Sequence, residues 1–130
     1  MKMVNQLLAG VHIASAMEAM ALAIKSGLDA DTVFKVITAS AGNSWMFENR
    51  VPHVLENDYS PKSAVDIFIK DLGIVLAQGE RLDFPLPISQ TAFERFREAK
   101  DMGLGRADDA SVIKVYQRDG GFALPGDEET

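Results

Sequence analysis

The sequence predicts an all-α domain of about six helices packed around one long N-terminal helix. Three observations carry that prediction. Apolar residues recur in steps of three and four through almost every segment. No stretch of alternating apolar and polar residues competes as a strand. Glycine, proline and aspartate fall where helices should start and stop.

The first helical pattern opens at Lys2, and over Asn5–Ser26 it places Leu8, Val11, Ile13, Met17, Met20 and Ile24 at helical spacing. Gly27 is its C-terminal stop. A run of small residues (Ala9, Gly10, Ala14, Ser15, Ala16, Ala19) lets neighbouring helices come close. A helix of about 24 residues would be roughly 36 Å long, which suits the central member of so small a domain.

Asp29 caps a short helix, Ala30–Ala39, with Val33, Phe34 and Ile37 turned inward. Gly42-Asn43-Ser44 breaks the chain. Trp45–Glu56 is helical by composition, with Pro52 expected to kink it or end its first part. After the loop Asn57–Pro61, periodicity returns over Ser63–Gln78. Leu82–Pro87 is a turn, and Pro87 suits the first position of a helix that reaches about Met102, where Gly103 and Gly105 stop it. Asp108 caps a last helix, Asp109–Arg118, closed by Gly120-Gly121. Residues 1–121 form one helical domain on this reading, and the acidic segment 122–130 is a poorly ordered tail.

Composition narrows the function. Apolar residues make up 47% of 130 residues, enough for one core. No apolar run reaches the ~18 residues of a membrane span, and no signal peptide is evident. The absence of cysteine excludes disulfides and thiolate metal sites and makes a cytoplasmic location the expectation. A net charge of −6 argues against a nucleic-acid partner. Gly103-Leu104-Gly105 has neither a preceding strand nor a third glycine, so it is no nucleotide loop.

The residues with chemical potential lie at the chain's start. On a helix, Asn5 falls about 60° to one side of Lys2 and Gln6 about 40° to the other, so all three can face one pocket. A lysine there can exchange a proton with a hydroxyl, and an amide beside it can hold that hydroxyl in place. The alternative is a solvated lysine followed by two polar surface residues. His12 is roughly 15 Å further along the helix, too far to share a reacting atom, and with Glu18 it suits helix–helix hydrogen bonding. His53 follows a proline and has no metal-ligand spacing, and no metal is expected. Asp29/Asp31 and Asp108/Asp109 fit helix caps better than paired catalytic carboxylates.

Lys70-Asp71 interrupts an apolar stretch, Ile67-Phe68-Ile69 before it and Leu72-Gly73-Ile74-Val75-Leu76 after it. One of the two charges must lie at or near the buried face, where it needs a partner or a ligand. An ion pair tying this helix to its neighbour is the competing explanation.

Taken together, Lys2-Met3-Val4-Asn5-Gln6-Leu7-Leu8, Glu18-Ala19-Met20-Ala21-Leu22-Ala23, Gly27-Leu28-Asp29, Gly42-Asn43-Ser44 and Phe68-Ile69-Lys70-Asp71-Leu72 resemble the C-terminal domain of the β-hydroxyacid dehydrogenases. That family includes 3-hydroxyisobutyrate dehydrogenase and tartronate semialdehyde reductase and is related to 6-phosphogluconate dehydrogenase. The similarity spans about residues 2–118. Ser63–Val75 and Gly105–Tyr116 look most like the branch acting on four-carbon sugar acids such as threonate.

The resemblance implies the 6-phosphogluconate dehydrogenase C-terminal-domain-like fold and NAD or NADP as cofactor, bound mainly by a dinucleotide-binding half outside this chain. It implies Lys2 as the catalytic acid/base and Asn5 or Gln6 as the amide that orients a small hydroxy-acid substrate. Lys70 would reach the nicotinamide end of the cofactor, with Asp71 supporting it. Two positions depart from the family pattern: Gln6 stands where several relatives have asparagine, and Ser63 where many have an aromatic residue. The expectations are a fragment inactive alone, associating as a dimer or higher homo-oligomer. A non-catalytic helical oligomerisation module is the alternative.

Overall fold

In the computed structural model, which describes residues 1–127, six α-helices follow in order. They are α1 (Lys2–Lys25), α2 (Ala30–Thr38), α3 (Trp45–Leu55), α4 (Val65–Arg81), α5 (Pro87–Ala99) and α6 (Ile113–Gly120). Among the described residues the only β-type pairing is a single bridge between Ala64 and Asp108.

Helix α1 packs against each of the other five helices, as its length and small residues predict. By length and apolar composition alone it could cross a bilayer. Three of its large apolar residues, Ile13, Met17 and Met20, are instead wholly buried against Val51, Leu72 and Phe96 in the core, while Leu8 and Leu22 stay about half exposed or more. Gly10 permits the closest approach in this packing. A Cβ there would lie 3.0 Å from both Leu72 methyl groups, so any side chain at this position would press on Leu72 where α1 and α4 meet. The rings of Phe68 and Phe96 stack at 5.4 Å and join α4 to α5.

The helix boundaries follow local chemistry. Gly27 adopts φ +87° just past α1, the left-handed conformation in which a side chain is strained. The Asp29 carboxylate accepts from the Thr32 amide at the start of α2, and Ser44 does the same for Phe47 at the start of α3. Val33, Phe34 and Ile37 of α2 are partly buried against the core, the inward face expected for them.

Four elements differ from expectation. Helix α3 continues through Pro52 to Leu55, so the proline does not end it. The backbone beyond recovers the turn, with the amides of Glu56 and Asp58 donating to the carbonyls of Pro52 and His53. Helix α4 begins at Val65 rather than Ser63 and runs to Arg81. The expected last turn of α5 opens into a wider π-type turn, Lys100–Leu104, in which Gly103 takes φ +86°. The expected single last helix is a 3-10 turn, Asp109–Val112, followed by α6.

The tail expectation does not hold for residues 122–127. Leu124 is buried in the core, and Gln117 Nε2 donates to the Phe122 carbonyl at 2.9 Å and to Asp127 at 2.6 Å. The Leu124 amide also donates to Asp127. One buried leucine and this hook hold the segment. Residues 128–130 lie outside the described residues.

Candidate active site on the α1–α4 face

Gly10 packs on Leu72, and this sets the register of α1 against α4. One turn before Gly10 on α1 is Gln6, and the residue before Leu72 on α4 is Asp71. Gln6 Nε2 accordingly donates to Asp71 Oδ2 at 2.7 Å, across 65 positions of sequence. Asn5 Nδ2 lies 3.4 Å from Gln6 Oε1, a long contact that extends the row to three polar groups.

Gln6 and Asp71 are half-buried, while Lys2, Asn5 and Lys70 are exposed. Asp71 is thus the charge nearer the buried face, and its partner is an amide. Neither Lys70 nor Asp71 enters an ion pair among the described residues. The alternative of an ion pair tying α4 to its neighbour is replaced by the Gln6 hydrogen bond. Lys2 is the first residue of α1, one turn before Gln6. Ile67 and Ile74 lie beside Asp71 on α4 and are each about half exposed, whereas Val4 and Leu8, exposed to a similar degree, lie on the side of α1 turned about 160° from Gln6. Ile67, Lys70 and Ile74 share one helix face by their three- and four-residue spacing.

The row lies on an open face. Three recesses of about 760, 620 and 400 Å³ lie elsewhere, and none is lined by Lys2, Asn5, Gln6, Lys70 or Asp71. The largest of these opens between the end of α4 and the start of α5, around Phe84, Leu86 and Phe93.

Sequence reasoning missed a buried charged cluster between α3 and the turn that leads into α6. His53 Nδ1 lies 2.7 Å from Asp108 Oδ2, and Arg50 makes a two-pronged pair with Asp109, Nε to Oδ1 at 2.7 Å and Nη2 to Oδ2 at 3.2 Å. Both carboxylates are wholly buried. Asp108 does cap the final segment, as expected, accepting from the Ala110 amide, but it also accepts from the amides of Lys62 and Ser63. Burial alone would raise its pKa. The bonds from His53 and from the Ala110 and Lys62 amides outweigh burial and hold it below the usual carboxylate value. For Asp109, burial wins over the Arg50 guanidinium, and its pKa is raised. No local signal marked it: an aspartate in the first turn of a helix is favourable without a cation, so the adjacent pair did not reveal the Arg50 partner.

Of the remaining residues, Asp29 caps α2 as expected. Glu18 meets Tyr116 of α6. Burial, and then the Glu18 carboxylate, push that phenol up to about 12. His12 makes no side-chain hydrogen bond among the described residues and lines the recess between α1, α2 and α3.

An all-α domain whose first and fourth helices join a Lys-x-x-Asn-Gln start to a Lys-Asp-Leu segment has the features of the helical half of a β-hydroxyacid dehydrogenase. Residues 1–116 match the family described as NAD-binding of NADP-dependent 3-hydroxyisobutyrate dehydrogenase, and the chain belongs to it.

Among curated relatives, L-threonate dehydrogenase of Cupriavidus necator is 57% identical over 128 residues, covering 98% of this chain and 42% of the relative. L-threonate dehydrogenase of Escherichia coli is 53% identical, covering 96% of this chain and 40% of the relative. A crystal structure of 3-hydroxyisobutyrate dehydrogenase from Salmonella typhimurium superposes with a TM-score of 0.87 at 55% identity, over 88% of this chain and 40% of that one. The chain therefore spans about two fifths of the length of these relatives. Cofactors of the family are NAD and NADP.

Proposed function

We propose that this chain is the substrate-side helical domain of an NAD(P)-dependent dehydrogenase acting on a small hydroxy acid of the L-threonate type. The observation that carries this reading is the Gln6–Asp71 hydrogen bond, which joins two motifs far apart in sequence on one face. The similarity to L-threonate dehydrogenases supports the substrate class.

Lys2 acts as general base in oxidation, taking the hydroxyl proton on its amine, and returns it as general acid in the reverse direction. The exposed amide of Asn5, or that of Gln6, holds the hydroxyl at Lys2. Residues of this face fit a nicotinamide: Lys70 is an exposed donor without an ion-pair partner among the described residues, and it adjoins Asp71, which holds Gln6. The bound dinucleotide supplies the hydride acceptor. Ile67 and Ile74, half exposed beside Asp71, provide apolar surface on which a dinucleotide-binding domain closes and excludes water from the reacting groups.

Catalysis then requires that second domain, and these 130 residues alone turn over no hydroxy acid. We place the enzyme in the cytoplasm, consistent with the absence of cysteine. Self-association is part of the proposal: Leu22, Leu28 and Trp45 are each more than half exposed, and apolar surface of this kind favours pairing. Light scattering should report at least twice the 14.2 kDa chain mass.

The test is Lys2→Ala in the enzyme that joins this chain to a dinucleotide-binding domain. A fall in kcat of several orders of magnitude with folding intact is expected. An unchanged rate would leave only the non-catalytic oligomerisation module.

A further inference from the structure

We infer that Asp71 is a positioning residue on the substrate side: its carboxylate fixes the rotation of the Gln6 amide so that Gln6 offers an acceptor, selecting a hydroxyl of the substrate rather than its carboxylate. This rests on the reading proposed above.

Donor and acceptor chemistry fixes how the two side chains face each other. A carboxylate only accepts, whereas an amide has one donor end and one acceptor end. With 2.7 Å between Gln6 and Asp71 Oδ2, the end facing Asp71 must be Nε2. A bond of that length to an ionised acceptor is of the strong kind. The planar amide then turns Oε1 away from Asp71. Its one hydrogen-bond partner among the described residues is Asn5 Nδ2, at 3.4 Å, so a carbonyl with two lone pairs can take a further donor.

Substrate chemistry decides what that donor is. A hydroxy acid carries a carboxylate, which has no proton to give, and hydroxyls, which do. Gln6 Oε1 therefore pairs with a hydroxyl and turns the carboxylate away. Gln6 touches the substrate, and Asp71 acts through it. The role that the family resemblance assigns to Asp71, support of the cofactor, would predict a different partner for its carboxylate. The packing of Gly10 on Leu72 already fastens α1 to α4, so this bond is not needed merely to hold the helices together.

The experiment uses the enzyme containing this chain and a dinucleotide-binding domain, with L-threonate as substrate. In Asp71→Asn the residue at 71 can donate as well as accept, and the rotation of Gln6 is no longer enforced. KM for L-threonate should rise about tenfold, the effect of losing one hydrogen bond from a substrate hydroxyl, while the Kd for the dinucleotide stays within about twofold. The exchanged pair, Asp71→Asn with Gln6→Glu, keeps the bond with donor and acceptor swapped and leaves a carboxylate oxygen as acceptor. Its KM should return to within about threefold of the parent.

The inference is overturned if Asp71→Asn leaves KM unchanged, if it weakens dinucleotide binding as much as it raises KM, or if the exchanged pair is no better than the single variant. Should Asp71→Asn fail to fold, the exchanged pair decides alone: a KM more than tenfold above the parent overturns the inference. Lys2→Ala is run alongside. Retention of activity in that variant sinks the functional reading itself, whereas its loss together with an unmoved KM in Asp71→Asn sinks only the role given to Asp71.

Discussion

His53 on α3 and Asp108, at the turn into the last helical segment, form a buried bond of 2.7 Å. The carboxylate also accepts the amides of Lys62, Ser63 and Ala110, so one side chain joins three parts of the chain. The backbone beside it is stitched in the same way: the Asp108 amide donates to the Tyr59 carbonyl and the Asp109 amide to Ser63. This junction sets where α4 begins, and with it where Lys70 and Asp71 stand.

Removing that acceptor should be costly. Asp108→Ala leaves His53 and three amides without a partner, and loss of one member of a buried pair typically costs about 3–5 kcal/mol. Urea denaturation should show the midpoint falling with an unchanged slope. A loss under about 1 kcal/mol would mean that water replaces the carboxylate.

Stability should depend on pH through the two neighbouring aspartates with opposite signs. Asp108 has a folded pKa below its unfolded value of about 3.9. Its contribution is present above about pH 4 and is lost as pH falls through the folded value. Asp109 has a raised folded pKa, so its contribution is present below about pH 4 and declines as pH rises through that value. Denaturation across about pH 2–7 should therefore show Asp108→Asn flattening the acid limb and Asp109→Asn flattening the decline above about pH 4. The reverse assignment of the two slopes would contradict these directions.

Gly10→Val tests the register of α1 on α4. Its Cβ would meet the Leu72 methyl groups at 3.0 Å, and two further methyl groups would add to the crowding. Overpacking of this kind costs about 1–3 kcal/mol. Because Gln6 lies one turn away and Asp71 adjoins Leu72, the variant in the joined enzyme should also raise KM for L-threonate. Lost stability with an unmoved KM would uncouple the packing from the site.

Lys70→Ala should separate cofactor from substrate. With the side chain exposed and not ion-paired, truncation leaves the fold stable to within about 0.5 kcal/mol. Loss of one charged donor should weaken dinucleotide binding in the joined enzyme by about tenfold or more, with little change in KM for L-threonate. Isothermal titration with NAD and NADP reads the first quantity. Unchanged affinity for both would remove Lys70 from the cofactor site.

The helical segments were legible from residue order because their signals are local. The three- and four-residue spacing of Ile13, Met17 and Met20, the stop at Gly27 and the cap at Asp29 each depend on a few neighbours along the chain. The Lys2-Asn5-Gln6 and Lys70-Asp71 segments were legible as candidates for the same reason. Where boundaries moved, at Pro52 and Lys100–Leu104, backbone bonds and tertiary packing overrode a propensity worth only a few kcal/mol. At Leu124, burial in the core ordered a segment whose polar composition reads as a tail.

Residue order alone determined the class of fold, the central place of α1 and the two polar segments on which the proposed chemistry rests. Tertiary structure decided the partners: Gln6 with Asp71, His53 with Asp108, Arg50 with Asp109. Helical periodicity tells which face of a helix is apolar, but not which residue of a distant helix will oppose a given polar group. That choice depends on how closely helices approach, and here a glycine seated on Leu72 sets the distance.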